Sequence, residues 1–379
     1  MKRNLLLSPG PTQVPPQICE VLSRPIIHHR TPQFQNHLKV ATEGLKYVFQ
    51  TKNDVYILAS SGTGAMEASV CNLVSPGDKV ITVEGGKFGE RWTEICQAYG
   101  TQTKVIEVKW GKAVEAKQIK ELLHAEKNIK AVFVTLVETS TGVTTDIESI
   151  GKIVKDTNAV LVVDAISGLG ATDLQTDNWS VDVAIAGSQK GLMLPPGLAF
   201  ISVSAKAFKL MEQAKSPRYY FDLRKAKEAL AEVDTPFTPA IGLIIALNES
   251  LRLIKEAGLQ NLFIHYARLA QGTRAAMKAL GLSLLSDEPC ISNVVTAVNV
   301  PNKIDGGKLV KTMRDTYGVT IVAGQGHLKS KIFRIAHMGC LDEYDIITGI
   351  VCLEKVLHKM GYSFTLGAGV AAAQKIFSA

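Results

Sequence analysis

Between about residue 55 and residue 205, short continuous apolar runs alternate with segments of helical spacing. No other feature constrains the fold as strongly. Val55–Ala59, Lys79–Val83, Val105–Val108, Ala131–Val137, Val160–Val163, Val181–Ala186 and Ala199–Val203 read as strands. Gly64–Leu73, Gly89–Ala98, Ala116–Ala125 and Ile147–Val154 read as helices between them. A strand that is apolar along its whole length is covered on both faces, and parallel neighbours are joined by helical crossovers. The pattern predicts an α/β fold built on a mostly parallel, seven-stranded sheet.

After "VDTPFTPAIG" (233–242) the spacing predicts a long helix from about Leu243 to Ala257. The alternation then weakens: Ser292–Val300 and Ile332–Ala336 read as strands, Gly307–Tyr317 and Asp342–Met360 as helices. This predicts a large domain over residues 15–255 and a smaller α/β domain over 256–379, against which the proline-rich segment 1–14 folds. No internal repeat or low-complexity segment interrupts the chain, although the tail "GAGVAAAQKIFSA" is rich in small residues.

Composition narrows the partners. Aromatic residues make up only 6% of the chain, too few for a stacking surface on single-stranded nucleic acid. The net charge of +7 is spread without a dense basic block, which suits anionic small molecules and not nucleic acid. No apolar run reaches the roughly 18 residues of a membrane span. Cys19, Cys71, Cys96, Cys290, Cys340 and Cys352 form no CxxC pair and read as buried thiols in a reducing, cytoplasmic setting, with no metal site. His28-His29-Arg30 is a weak metal signal, because neighbours on a strand face opposite ways; it is instead a candidate for the substrate entrance.

Three elements carry chemistry. "ASSGTGAMEA" (59–68) follows a strand and opens a helix, so its glycines allow backbone N–H groups to approach an anion. It lacks both the Walker ending and the GxGxxG spacing, and alone it reads equally well as a tight connection. "LVVDAISGLG" (161–170) puts Asp164 at the C-terminal end of a buried strand, where ligands of parallel sheets collect; taken in isolation, an aspartate there reads first as a helix cap or turn residue. "SQKGLMLPPGL" (188–198) sets Lys190 among apolar neighbours at the end of the next strand. Such surroundings lower a lysine pKa and suit Schiff-base chemistry. A phosphate cradle, a carboxylate and a reactive lysine together match pyridoxal phosphate.

The order of these elements, with "KFGERW", "ETSTGV" and "FRIAHMG", resembles the class V aminotransferases of the fold-type-I pyridoxal phosphate enzymes, and within them the alanine–glyoxylate and serine–pyruvate branch. The resemblance runs over essentially the whole chain. It implies a homodimer with shared active sites and transfer of an amino group from alanine or serine to glyoxylate or pyruvate. By the same resemblance, Lys190 is the covalent lysine and Asp164 the partner of the pyridine nitrogen. Ser61, Gly62, Thr63 and Gln189 would hold the phosphate. Phe88 would stack on the ring, where relatives often carry Trp or Tyr, with Ile166 on its other face and Thr139 near its hydroxyl. Thr235 and Thr238 would reach the partner's phosphate, and Arg334 would grip the substrate carboxylate. Two rivals remain at this stage: a lyase of the cysteine desulfurase type, which usually has His at the positions of Gln189 and Phe88, and a non-catalytic subunit of a soluble hydrogenase.

Overall fold

The computed structural model describes residues 4–379. Its central sheet has seven strands: β1 (Val55–Leu58), β2 (Lys79–Glu84), β3 (Gln102–Glu107), β4 (Ile129–Thr135), β5 (Val160–Asp164), β6 (Val183–Gly187) and β7 (Ala199–Val203). They lie in the order β1-β7-β6-β5-β4-β2-β3. β7 runs antiparallel to both its neighbours, and the remaining pairs are parallel. The predicted mostly parallel α/β sheet is therefore present.

Every residue of β5, β6 and β7 is buried, and their side chains alternate between two cores as strand geometry requires. Val132, Val134, Leu161, Val163, Ala184 and Ala186 join the helices Pro32–Phe49, Ile147–Val154 and Ile241–Ala257 on one face. Ala131, Phe133, Val160, Val162, Val183 and Ile185 join Gly62–Leu73 and Ala205–Met211 on the other. The registers Thr135↔Asp164 and Asp164↔Ile185 bring the C-terminal ends of β4, β5 and β6 level. The site is built at that edge.

A third core gathers Leu5 and Leu7 with Leu269, Met277, Leu309, Met313, Phe333, Ile335, Leu353 and Phe377. Leu5–Leu6 pairs in parallel with Val319–Thr320. Alongside lies a three-stranded antiparallel sheet with Ile332–Ala336 between Val295–Asn299 and Val322–Ala323.

Several elements depart from the sequence expectation. Helix Pro32–Phe49 was hidden in the N-terminal half, although it starts with a Thr31 side chain accepting from the Phe34 N–H at 3.3 Å and a proline in its first turn. A second long helix, Leu259–Ala279, follows Ile241–Ala257 after Gly258, whose φ of 78° breaks the run. β3 begins at Gln102, earlier than expected, because this edge strand is largely exposed and carries polar residues. β4 ends at Thr135, and Val137–Glu138 turns back to pair with Val143–Thr144. The thiols are not uniformly buried: Cys19 is exposed, and Cys290 and Cys340 are half-buried. His28 and His29 lie outside any strand, with ring centres 4.7 Å apart, so they do not face opposite ways. Among the described residues, no helix is long and apolar enough to cross a membrane.

Candidate active site

Lys190 sits on a tight turn between β6 and β7. Ser188 pins the turn, donating from its N–H to Leu198 O at 2.9 Å and from its hydroxyl to Pro195 O at 2.7 Å. The Met193 N–H closes the loop on Lys190 O at 3.0 Å. The lysine is 8% exposed, and its Nζ donates to the Pro9 carbonyl. The N-terminal segment thus lies directly on the amine. Thr12 fastens it there, with its N–H on Gln189 O at 3.1 Å and its hydroxyl on Lys190 O at 3.0 Å. Gly10 between them has φ of +135°, and any side chain at that position would overlap the Lys190 stem. Burial pulls the lysine pKa down to about 8; Asp164 opposes this, while Arg334 and Arg91 add to it.

Asp164 ends β5 and is 2% exposed. One oxygen accepts from the Ile166 N–H at 2.8 Å. Burial pushes its carboxyl up to about 7, helped by the nearby Glu138 and opposed by that N–H, Lys190 and Arg91. A buried acid in this state is stabilised by any cationic donor brought to it.

The glycine turn comes in from the end of β1. Ser61 and Thr63 are exposed, Gly62 is buried, and the Ser61 side chain caps no helix N–H. Ile166 links this turn to the other two: a Cβ on Gly62 would stand 2.5 Å from its Cδ1, and one on Gly187 would be 3.3 Å from its Cγ2. Gln189 carries a buried side-chain oxygen, Oε1, without a hydrogen-bond partner.

Glu138 was not singled out by the sequence reading. It is 4% exposed and accepts from the N–H groups of Phe88 and Gly89, both at 3.0 Å, and from Ser140 N at 3.1 Å and Oγ at 2.5 Å. Burial raises its pKa against these donors. The carboxylate thereby fixes the first turn of helix Lys87–Ala98, which carries Phe88, against the loop carrying Thr139. The only signal in the sequence was an acid between an apolar run and "TSTG".

Arg334 reaches in from Ile332–Ala336 and is 5% exposed. Its Nη1 donates to Thr139 O at 2.7 Å, and Nε and Nη2 share Ala323 O at 3.2 and 2.8 Å. Burial lowers its pKa to about 10. Thr235 and Thr238 are elsewhere, lining a groove with Leu58, Leu198, Tyr220 and Phe237. The Thr235 hydroxyl donates to Phe237 O at 2.8 Å, and the neighbouring Asp234 pairs with Arg30. The structure thus gathers Lys190, Asp164, Ile166, Gln189, Thr139 and Arg334 at the C-terminal ends of β4, β5 and β6, and leaves the two threonines outside that cluster.

The family model for class V aminotransferases matches residues 5–338. The chain is a class V aminotransferase. It is 44% identical to a protein named soluble hydrogenase, small subunit, of Synechococcus sp. (strain PCC 6716), over 99% of this chain and 98% of that one. It is 39% identical to the L-aspartate–glyoxylate aminotransferase of Paracoccus denitrificans, over 98% and 96% respectively. Its fold matches the ureidoglycine–glyoxylate aminotransferase of Bacillus subtilis with a TM-score of 0.95 at 29% identity, covering 100% and 99% of the two chains.

The cofactor of this aminotransferase is pyridoxal phosphate, and the donor set suits it. The amine is buried and depressed toward neutrality, as covalent capture of an aldehyde requires. A buried acid awaits a cationic ring nitrogen. An uncapped helix start offers N–H groups to a phosphate, and Gln189 retains an unused polar atom.

Proposed function

We propose that this aminotransferase moves an amino group from a small amino acid, alanine or serine, to a small 2-oxo acid, with glyoxylate ahead of pyruvate. The observation that carries the reading is the buried cluster in which the Asp164 carboxyl and the Arg334 guanidinium both act on the Lys190 amine. Two of the similar proteins bear glyoxylate in their names, which favours it as acceptor. Arg334 matches the one carboxylate of alanine or serine, whereas an aspartate donor needs a second cation for its side chain.

Bound pyridoxal phosphate supplies an aldehyde that takes the amino group and a ring that accepts electrons from the substrate Cα. Lys190 would hold that aldehyde and, once freed by the donor amine, take the proton from Cα as base and deliver it as acid to the former aldehyde carbon. Asp164 would keep the ring nitrogen protonated. Ser61, Gly62, Thr63 and Gln189 would bind the phosphate, Phe88 and Ile166 would face the two sides of the ring, and Thr139 would stand near its hydroxyl. Thr235 and Thr238, being outside the cluster of their own chain, would serve the partner subunit of a homodimer. Residues 15–255 would form the cofactor domain, with 256–379 and the N-terminal segment closing over it.

Purified protein tested against a panel of amino acids and 2-oxo acids decides the reading. Alanine or serine with glyoxylate should give the highest kcat/KM. A strong preference for aspartate would overturn the donor assignment. The name of the Synechococcus relative raises a second reading, a hydrogenase subunit; hydrogen uptake by the chain without transamination would favour it. Sulfide release from cysteine would favour the lyase.

A further inference from the structure

The residues assigned above to the phosphate are all electrically neutral. A phosphate monoester carries about −1.5 to −2 charges at pH 7, while a helix start offers the equivalent of only about half a positive charge. The cradle is short of counter-charge. One cation of the same chain stands beside it.

Arg91 lies three residues after Phe88 on helix Lys87–Ala98, so the two share a helix face. Its guanidinium carbon is 5.0 Å from the Phe88 ring centre, and its Nη1 donates to the Thr63 hydroxyl at 3.3 Å. It is half-buried, and its charge lowers the pKa of both Asp164 and Lys190. Among the described residues it makes no ion pair, and Glu90 beside it is taken by Lys87. A guanidinium has five N–H groups in a planar fork that matches phosphate oxygens, and here one hydrogen bond uses a single N–H.

We propose that Arg91 is the cation of the cofactor phosphate site, held over Phe88 and tied to Thr63 so that its unused N–H groups are left for the phosphate oxygens. The proposal rests on pyridoxal phosphate occupying the Lys190 site. It separates Arg91 from Arg334: one guanidinium serves the cofactor, the other the substrate.

The test compares pyridoxal phosphate with pyridoxal, which lacks the phosphate, as ligands of the apoprotein. Wild type, R91Q and R91K are titrated with each, following tryptophan fluorescence and the absorbance of the lysine-bound chromophore. R91Q should raise the Kd for pyridoxal phosphate about 10- to 100-fold and leave that for pyridoxal nearly unchanged. R91K should recover part of the loss, since the charge returns without the fork. Added salt should shrink the difference between wild type and R91Q. Equal affinity of R91Q and wild type for pyridoxal phosphate would overturn the proposal. So would an equal loss for both ligands, which would mean that Arg91 acts on the ring through Phe88. If R91Q proves unfolded by circular dichroism, R91K decides: an unchanged ratio of the two affinities refutes the role. Wild-type protein without affinity for pyridoxal phosphate would instead remove the cofactor assignment itself, a result read on wild type alone.

Discussion

Replacing Arg334 by lysine should cripple amino acid turnover while sparing cofactor binding. A guanidinium has five N–H groups. Nε and Nη2 use one each on Ala323 O, and Nη1 uses one on Thr139 O. One N–H remains on each terminal nitrogen, which leaves two donors for a carboxylate. Lysine keeps the charge but loses the fork and the backbone moorings that aim it. A charge-assisted hydrogen bond contributes about 1.5–3 kcal/mol, so kcat/KM for alanine or serine should fall roughly tenfold to a hundredfold in Arg334→Lys. Half-reactions monitored by cofactor absorbance should show a much smaller fall for an amine of the same skeleton without a carboxylate. Because the same guanidinium ties two carbonyls together, the unfolding temperature should be measured in parallel. An equal loss for amino acid and amine would refute the carboxylate assignment and leave Arg334 a structural tie.

Borohydride reduction of the holoenzyme followed by peptide mapping should find the pyridoxyl group on Lys190; label on another lysine would sink that role. The acid Asp164 has a native pKa raised to about 7 from 3.8, so the folded apoprotein binds more protons than the unfolded chain between those values. Its stability should therefore decline as pH rises from about 4 to 7, and Asp164→Asn apoprotein should lack that slope in pH-dependent melting. If Thr235 and Thr238 serve the partner's phosphate, diluting the holoenzyme should release cofactor as dimers dissociate, and added cofactor should oppose dissociation. A cofactor-saturated monomer in analytical ultracentrifugation would contradict that arrangement.

What could be read from sequence followed from locality. β5 up to Asp164 and the whole of β6 are apolar and buried on both faces, so their ends, and with them Asp164 and Lys190, stood out from neighbouring residues alone. Glu138 did not, because its burial depends on amides at positions 88 and 89 brought to it across the sheet edge. The contact of Pro9 with Lys190 was equally hidden, since nothing local to "SPGPT" marks its partner. β3 was misplaced for the opposite reason: an exposed edge strand has no need of the apolar run that reveals a buried one. The helix Pro32–Phe49 had its start signals in Thr31 and Pro32.

The strap over the lysine also sets an order of assembly. Leu5 and Leu6 are made before β1 to β7, yet their partners Val319 and Thr320 are made long after them. The sheet and the Lys190 turn therefore have all their own strands while Pro9 and Thr12 still lack the anchor at Val319. Contacts so distant in sequence form late because a long loop must close first. During that interval the strap has only its inner fastening, Thr12 on the Lys190 turn. In the finished subunit the segment over the amine is held from both sides, by Thr12 on the turn and by Leu5 and Leu6 on Val319 and Thr320, so its place over Lys190 depends on the two ends of the chain meeting.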